Sequence, residues 1–148
     1  MTKEYPIIFN TEMVAAILDG RKTQTRRIPS SQNAKWKVGD RLWVKKRWKH
    51  GLMGGIVHET FDSPITAYWK LAGTLPRWAS RITLEIVSLR REKLHAVTVE
   101  DVMAEGCPER DSCCSWFGRV WDNCYTQIGQ RWTDNPEVQV VEFRRKDD

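Results

Sequence analysis

Leu18-Asp19-Gly20-Arg21-Lys22-Thr23-Gln24-Thr25-Arg26-Arg27 decides how this chain is read. From Arg21 to Arg27 it gathers four cations and two hydroxyls in seven residues, with no carboxylate among them. Such a segment is suited to meet an anion. Upstream, Asn10 or Thr11 can cap a helix over Glu12–Asp19, with Met13, Val14, Ile17 and Leu18 on one face and Gly20 as its stop. If Lys22–Arg27 then runs extended, alternation puts Lys22, Gln24 and Arg26 on one face and Thr23, Thr25 and Arg27 on the other. A turn near Gly20 would instead swing Lys22 beside Thr25. The same pattern also fits a solvated basic edge strand.

The 148 residues indicate one domain over 1–148, long enough for a real core. With 41% apolar and 29% charged residues, the chain falls outside the disordered class. No apolar run approaches a membrane span, and the segment Met1–Pro6 lacks a signal peptide's apolar region, so a cytoplasmic protein is expected. The net charge is only +5, yet eleven of the 24 Lys and Arg residues lie between Arg21 and Lys49, against one acid, Asp40. A patch of that density attracts phosphate backbones, and the attraction weakens with salt. Trp36, Trp43 and Trp48 lie inside it, and bases stack on aromatic faces, although tryptophan serves a core equally well. Cys107, Cys113, Cys114 and Cys124 include no CxxC pair, and no histidine completes a zinc pattern. Reduced thiols, no metal and no cofactor are expected. His50, His58 and His95 are scattered and make no catalytic constellation.

The remaining pattern is one of short elements. Pro6–Phe9 reads as a strand, 29–33 as a polar loop, and Val38-Gly39-Asp40-Arg41 as a turn into the strand Leu42–Val44. After a loose loop at Gly51–Gly55, Ile56–Phe61 and Ile65–Trp69 make a hairpin. Ser80–Leu89 alternates most clearly, with Ile82, Leu84 and Ile86 inward. Thr98-Val99-Glu100-Asp101 is a capping box opening a short helix that ends at Glu105-Gly106. Phe117, Val120, Trp121, Cys124 and Ile128 recur at helical steps over Ser115–Ile128, and Val138–Phe143 closes the chain as a strand. Several short strands with about three helices, no βαβ alternation, no repeat and no linker predict an α+β domain on a curved sheet or small barrel.

These strings together, Ile17–Arg27 with Val38–Val44, Ala104-Glu105-Gly106 and Val138–Phe143, resemble the ASCH domain family. The chain looks most like its longer members from bacteriophages and prophages, which share the Ala79-Ser80-Arg81-Ile82 opening and Trp121-Asp122. The resemblance implies a PUA-like small curved β-barrel, related to domains that bind RNA or modified bases. Some small ASCH proteins are amidohydrolases that remove the acetyl group from N4-acetylcytidine, and another is described as a ribonuclease. Their lysine, threonine and glutamate correspond to Lys22, Thr25 and Glu105 here. A phage origin would also permit a host protein as partner. This chain departs from the pattern in its additions at His50–Trp78 and Cys107–Trp116. It also carries Lys45-Lys46-Arg47 where many relatives have an acid, a change that favours a longer polyanion.

Amide hydrolysis needs a nucleophile, a proton acceptor and something to hold the oxyanion. Thr25 can attack the acyl carbon with Lys22 as base, provided desolvation and cations such as Arg21 and Arg26 depress the lysine. Glu105 can orient the cytosine amine or pass it a proton. Arg27 or Arg81 would stabilise the developing charge, and Trp43, Lys45 and Trp78 would hold the nucleic acid or nucleoside. Each residue also has an ordinary structural use: Thr25 as a β-former, Lys22 as a phosphate contact, Glu105 as the end of a helix. The expected function is therefore RNA, DNA or modified-nucleoside binding, with N4-acetylcytidine hydrolysis as the implied activity. The alternatives are a non-catalytic reader that stacks bases on Trp43 or Trp78, and a nuclease that positions phosphate with Lys22 and Arg27.

Overall fold

A computed structural model describes residues 2–50, 55–58, 70–109 and 112–146. The first strand, β1 (Glu4–Ile8), leads into helix α1 (Thr11–Leu18), whose cap is Asn10: its side chain accepts from the Met13 N–H at 2.8 Å. Gly20 ends the helix at φ +80°, a conformation glycine adopts without penalty, and the chain enters β2 (Gln24–Arg27). The strand β3 (Arg41–Lys45) follows the expected turn, in which buried Asp40 accepts from the Lys3 and Lys37 N–H groups.

The short strands β4 (Trp48–His50) and β5 (Ile56–His58) pair antiparallel with each other. The expected partner of Ile56, the strand Ile65–Trp69, lies outside the described residues, as does most of the Gly51–Gly55 loop. The long strand β6 (Thr83–Lys93) starts later and runs further than its alternation predicted, because β7 (Glu137–Arg145) supplies a ladder partner as far as Lys93 opposite Glu137. Between β6 and β7 lie α2 (Val99–Ala104) and α3 (Cys113–Cys124). Helix α3 stops at Cys124, short of the expected Ile128, because Tyr125 turns extended; Ile128 is fully exposed.

Five strands form one mixed sheet in the order β1-β3-β6-β7-β2, with β1 parallel to β3 and the other pairs antiparallel. A register shift between Ile86 and Ser88 bends the long β6–β7 pair. The sheet is curved and open, and its two edge strands are joined by a side chain: Arg27 Nη2 donates to the Ile8 carbonyl at 2.8 Å. This is an α+β fold with three helices among the described residues.

Alternation along β7 divides the core. Val141 and Phe143 pack with Val14, Ile17, Leu42 and Leu84 beneath α1, while Val138 and Val140 pack with Val102, Phe117 and Trp121 beneath α2 and α3. A strand covered on both faces anchors β2 at the sheet edge. The edge is not solvated, however: Lys22, Gln24, Thr25 and Arg26 are all buried. The reading of β2 as a solvated basic edge is corrected by the acids of β6 and α2 that cover it.

Candidate functional site

Two glycine-terminated helices meet end to end and bring distant residues together. At the end of α1 the Arg21 and Lys22 N–H groups both donate to the Ala16 carbonyl, at 2.9 and 3.1 Å. At the end of α2, Gly106 has φ +106°, and a Cβ there would stand 3.0 Å from the Ala16 Cβ and 3.5 Å from the Lys22 Cβ. Only glycine lets the two termini approach so closely. The Thr23 N–H then donates to the Ala104 carbonyl at 2.7 Å, and the Phe143 N–H to the Thr23 carbonyl at 3.0 Å, which ties the start of β2 between α2 and β7.

Lys22 Nζ consequently reaches Glu105, 83 positions away: it donates to Oε2 at 2.9 Å, to the Glu105 carbonyl at 3.0 Å and to the Gln24 carbonyl at 2.8 Å. Glu105 Oε1 accepts from Arg26 Nη1 at 3.1 Å. Arg26 is enclosed further by Glu92 at 2.9 Å, Asp101 at 3.3 Å and the Gln24 side chain at 2.7 Å. Its Nε–H is buried with no acceptor among the described residues. Two of the cations expected to meet an external anion therefore meet the protein's own carboxylates.

On the opposite face of β2, Arg27 Nε lies 3.3 Å from Thr25 Oγ1, and the guanidinium sits 4.9 Å from the centre of the Phe9 ring. Lys22, Thr25, Arg26, Arg27 and Glu105 all border one cavity of about 380 Å³, walled by Phe9 and by Phe117, Trp121 and Tyr125. Burial is the largest influence on Lys22 and lowers its pKa below the ordinary lysine value; Glu105 opposes this, and Arg27 and Arg26 reinforce it. The charged groups at the wall are three cations and one carboxylate, an arrangement suited to a carbonyl oxygen or a developing oxyanion.

The other expected binding residues do not border this cavity. Arg21 is held away by its bonds to the Gly106 carbonyl at 2.8 Å and to Asp19 at 3.3 Å. Trp43 faces away from the core, on the side opposite Leu42 and Val44, with Lys45 Nζ 5.0 Å and the Arg77 guanidinium 5.6 Å from its ring. Trp78 projects from a short 3-10 turn and is 76% exposed. Arg81 borders a separate cavity of about 280 Å³, where burial first, then Arg81 and Lys46, push His58 down to about 4. Lys45 borders a third cavity, which adjoins the first. Of Arg27 and Arg81, Arg27 borders the cavity of Lys22, Thr25 and Glu105, and Arg81 does not.

The aromatic wall was missed. The helical spacing of Phe117, Val120, Trp121 and Cys124 is visible in the sequence, but spacing does not show that Phe117 and Trp121, with Tyr125 just beyond the helix, wall a cavity. Glu92 and Asp101, which hold Arg26, carry no signal of that role in the sequence. Among the described residues no group of three His, Cys, Asp or Glu side chains is placed to hold a metal ion, and all four cysteines are free. No helix among the described residues is long and apolar enough to cross a membrane.

Fold and site together define an α+β protein with a charged, aromatic-walled cavity at the edge of a curved mixed sheet. The fold is ASCH-like. An ASCH domain from Lactobacillus crispatus JV V101 aligns over 97% of this chain and 79% of its own, with TM-score 0.51 and 13% identity. A protein of Enterococcus faecalis V583 placed in the DUF984 family aligns over 99% of this chain and 77% of its own, with TM-score 0.56 and 11% identity. A further structure of a hypothetical protein covers 97% of this chain and 99% of its own at TM-score 0.51 and 11% identity. No family model and no curated protein matches the sequence.

Proposed function

We propose that the cavity receives a base from RNA, DNA or a modified nucleoside, and that Lys22, Thr25 and Glu105 hydrolyse the exocyclic amide of an N4-acetylcytidine there. The ASCH-like fold and the basic segment from Arg21 to Lys49 support the nucleic-acid part. The observation that carries the catalytic part is the 2.9 Å contact between Lys22 and Glu105, 83 residues apart, at a cavity that Thr25 also borders. A buried ion pair is weak support for stability, so its position beside an open volume favours a chemical use. The volume of about 380 Å³ falls within the roughly 300–1,000 Å³ of small-molecule sites.

In the proposed reaction Thr25 Oγ adds to the acyl carbon as its proton passes to neutral Lys22 Nζ. Arg27, whose Nε lies 3.3 Å from that oxygen, faces the charge that develops on the acyl oxygen. The C–N bond then breaks, the proton moves from Lys22 to the leaving amine with Glu105 orienting it, and the acetyl group rests as an ester on Thr25. Water hydrolyses the ester, which releases acetate and restores the hydroxyl.

Lys22 must be neutral to act, and burial lowers its pKa from the ordinary 10.5. Activity is therefore lost as pH falls through the folded-state value, and the acid limb of kcat/KM lies below 10.5. Glu105→Gln removes the charge that holds Lys22 up, so the limb moves to still lower pH. The direct test is the absorbance change of N4-acetylcytidine on deacetylation. Thr25→Ala and Lys22→Ala should each lower turnover on the order of 10²–10⁴-fold. Turnover at the parent rate in both variants, or no turnover at high concentration of the parent enzyme, would remove the hydrolase.

One observation favours a second reading, a non-catalytic base reader. Three oxygens accept from Lys22 Nζ in the resting site, one for each ammonium proton. A reader would keep its affinity for the modified base in Thr25→Ala.

A further inference from the structure

We infer that the ligand is a base within a single-stranded polynucleotide, with the target base in the cavity beside Thr25 and a flanking nucleotide in the larger cavity next to it, a proposal that builds on the base-binding reading above. The outer cavity measures about 570 Å³ and shares Ile8, Arg27 and Tyr125 with the inner one. A free nucleoside would fill one volume and leave the other without a role.

The chemistry of the two differs. The inner cavity has Glu105 in its wall, whereas the outer one is bordered by Arg27 and Lys45, with no carboxylate among its described lining residues. Ser30, Gln32 and Gln130 add polar side chains that can address base edges. Cations without acids attract phosphate, and the divide between the volumes is where a linking phosphate would pass.

Arg27 is fixed at that divide. Nε points to Thr25 in the inner cavity, Nη2 to the Ile8 carbonyl at 2.8 Å, and the guanidinium carbon lies over the Phe9 ring, 4.9 Å from its centre. Tyr125 is held in the same wall by its packing on Trp121, ring centres 4.4 Å apart, and by the Ile28 N–H, which donates to its hydroxyl at 3.3 Å. Lys45 Nζ is anchored at 2.9 Å on the Gly73 carbonyl at the far side. Continuity in sequence points the same way: Ile28-Pro29-Ser30, directly after β2, forms part of the outer cavity, so one segment lines both volumes in succession.

The test compares free N4-acetylcytidine with RNA and DNA pentamers carrying one central N4-acetylated cytidine. Pentamer kcat/KM should exceed that of the nucleoside at least tenfold, and Lys45→Ala and Gln32→Ala should lower the pentamer-to-nucleoside ratio at least threefold. Pentamer affinity should fall with salt, and Lys45→Ala should reduce the logarithmic slope by about 0.7, the value for one single-strand phosphate contact. A nucleoside turned over as well as either pentamer, or a ratio untouched by both substitutions, overturns the inference while leaving the hydrolase in place. If nothing is turned over, anisotropy with labelled pentamers decides. Pentamer binding tighter than the competing nucleoside and weakened by Lys45→Ala upholds the inference and removes the hydrolase; equal binding overturns it.

Discussion

Two buried regions lie side by side under opposite physics. Beneath α1 the core is apolar, with Leu42 and Leu84 fully buried; between β2 and α2, Lys22 and Arg26 are each 3% exposed and surrounded by carboxylates and carbonyls. The apolar region is non-directional and tolerates changes of shape that keep its volume. The charged region works only with its partners in register, since each unpaired buried charge is expensive. Their difference teaches that a run of cations does not say where its anions are. Lys22 and Arg26 find theirs inside the fold, in the wall of one cavity, while Arg27 and Lys45 from the same basic segment border the adjoining cavity, which has no carboxylate among its described lining residues.

The largest effect is expected from Arg26→Ala, which leaves Glu92, Asp101 and Glu105 facing one another without their shared counter-charge. A loss of about 3–5 kcal/mol in chemical denaturation is the scale for a broken buried pair. A loss below about 1 kcal/mol, the scale of exposed pairs, would mean that the cluster is no more demanding than a surface network. Next comes Gly106→Ala, which places a side chain at φ +106° and 3.0 Å from the Ala16 Cβ. About 1–3 kcal/mol is expected for such a backbone. Adding Ala16→Gly should recover only the steric share, and full recovery would show that the backbone itself carries no strain.

The apolar region was legible in the sequence and the charged one only in part. Periodicity located α1 and the inward residues Ile82, Leu84 and Ile86, because an amphipathic element carries its pattern in its own residues; capping chemistry gave the Gly20 stop and narrowed the cap to Asn10 or Thr11, of which the structure uses Asn10. The capping box at Thr98 and Asp101 was equally local, and both of its bonds form, at 3.1 Å each. The meeting of Lys22 with Glu105 was reached through a family resemblance. No local pattern encodes a contact over 83 positions. The embrace of Arg26 was missed for the same reason: its acids come from β6 and α2, and in sequence each reads as an ordinary surface charge. The end of α3 was misplaced because Ile128 continues the helical stripe by spacing alone, while the backbone has already turned at Tyr125.

Arg77→Ala carries the comparison to the surface. Arg77 and Glu4 make the same kind of contact as the buried cluster, at 2.9 Å, but with side chains more than 40% exposed. Water already solvates both, so a loss of 0.2 to about 1 kcal/mol is expected near neutral pH. The Arg77 hydrogen bond lowers the Glu4 pKa below its ordinary 4.5. The contribution is therefore present above that value and disappears as pH falls through the folded one. A denaturation series from neutral to acid pH should show wild type and variant converging; a constant gap would assign the effect to Arg77 packing against Trp43 instead.

The smallest expected change in stability comes from the substitution that most affects function, Lys22→Met with Glu105→Leu. Glu105→Leu alone strands Lys22 in a buried site with only the backbone carbonyls of residues 24 and 105, and its loss should approach that of Arg26→Ala. Adding Lys22→Met removes the stranded charge and fills the space with apolar volume, while Arg26 keeps Glu92, Asp101 and the Gln24 side chain. Replacing both members of a buried pair is often neutral or stabilising, and the leucine also takes a negative charge off the C-terminal end of α2. The double variant should thus fall within about 1 kcal/mol of the parent, a coupling of at least 2 kcal/mol between the two positions. It should also have no activity on N4-acetylcytidine. A double variant as unstable as Glu105→Leu alone would make the pair a structural element of the fold, and the reason for a charged pair beside that cavity would then lie in packing and not in chemistry.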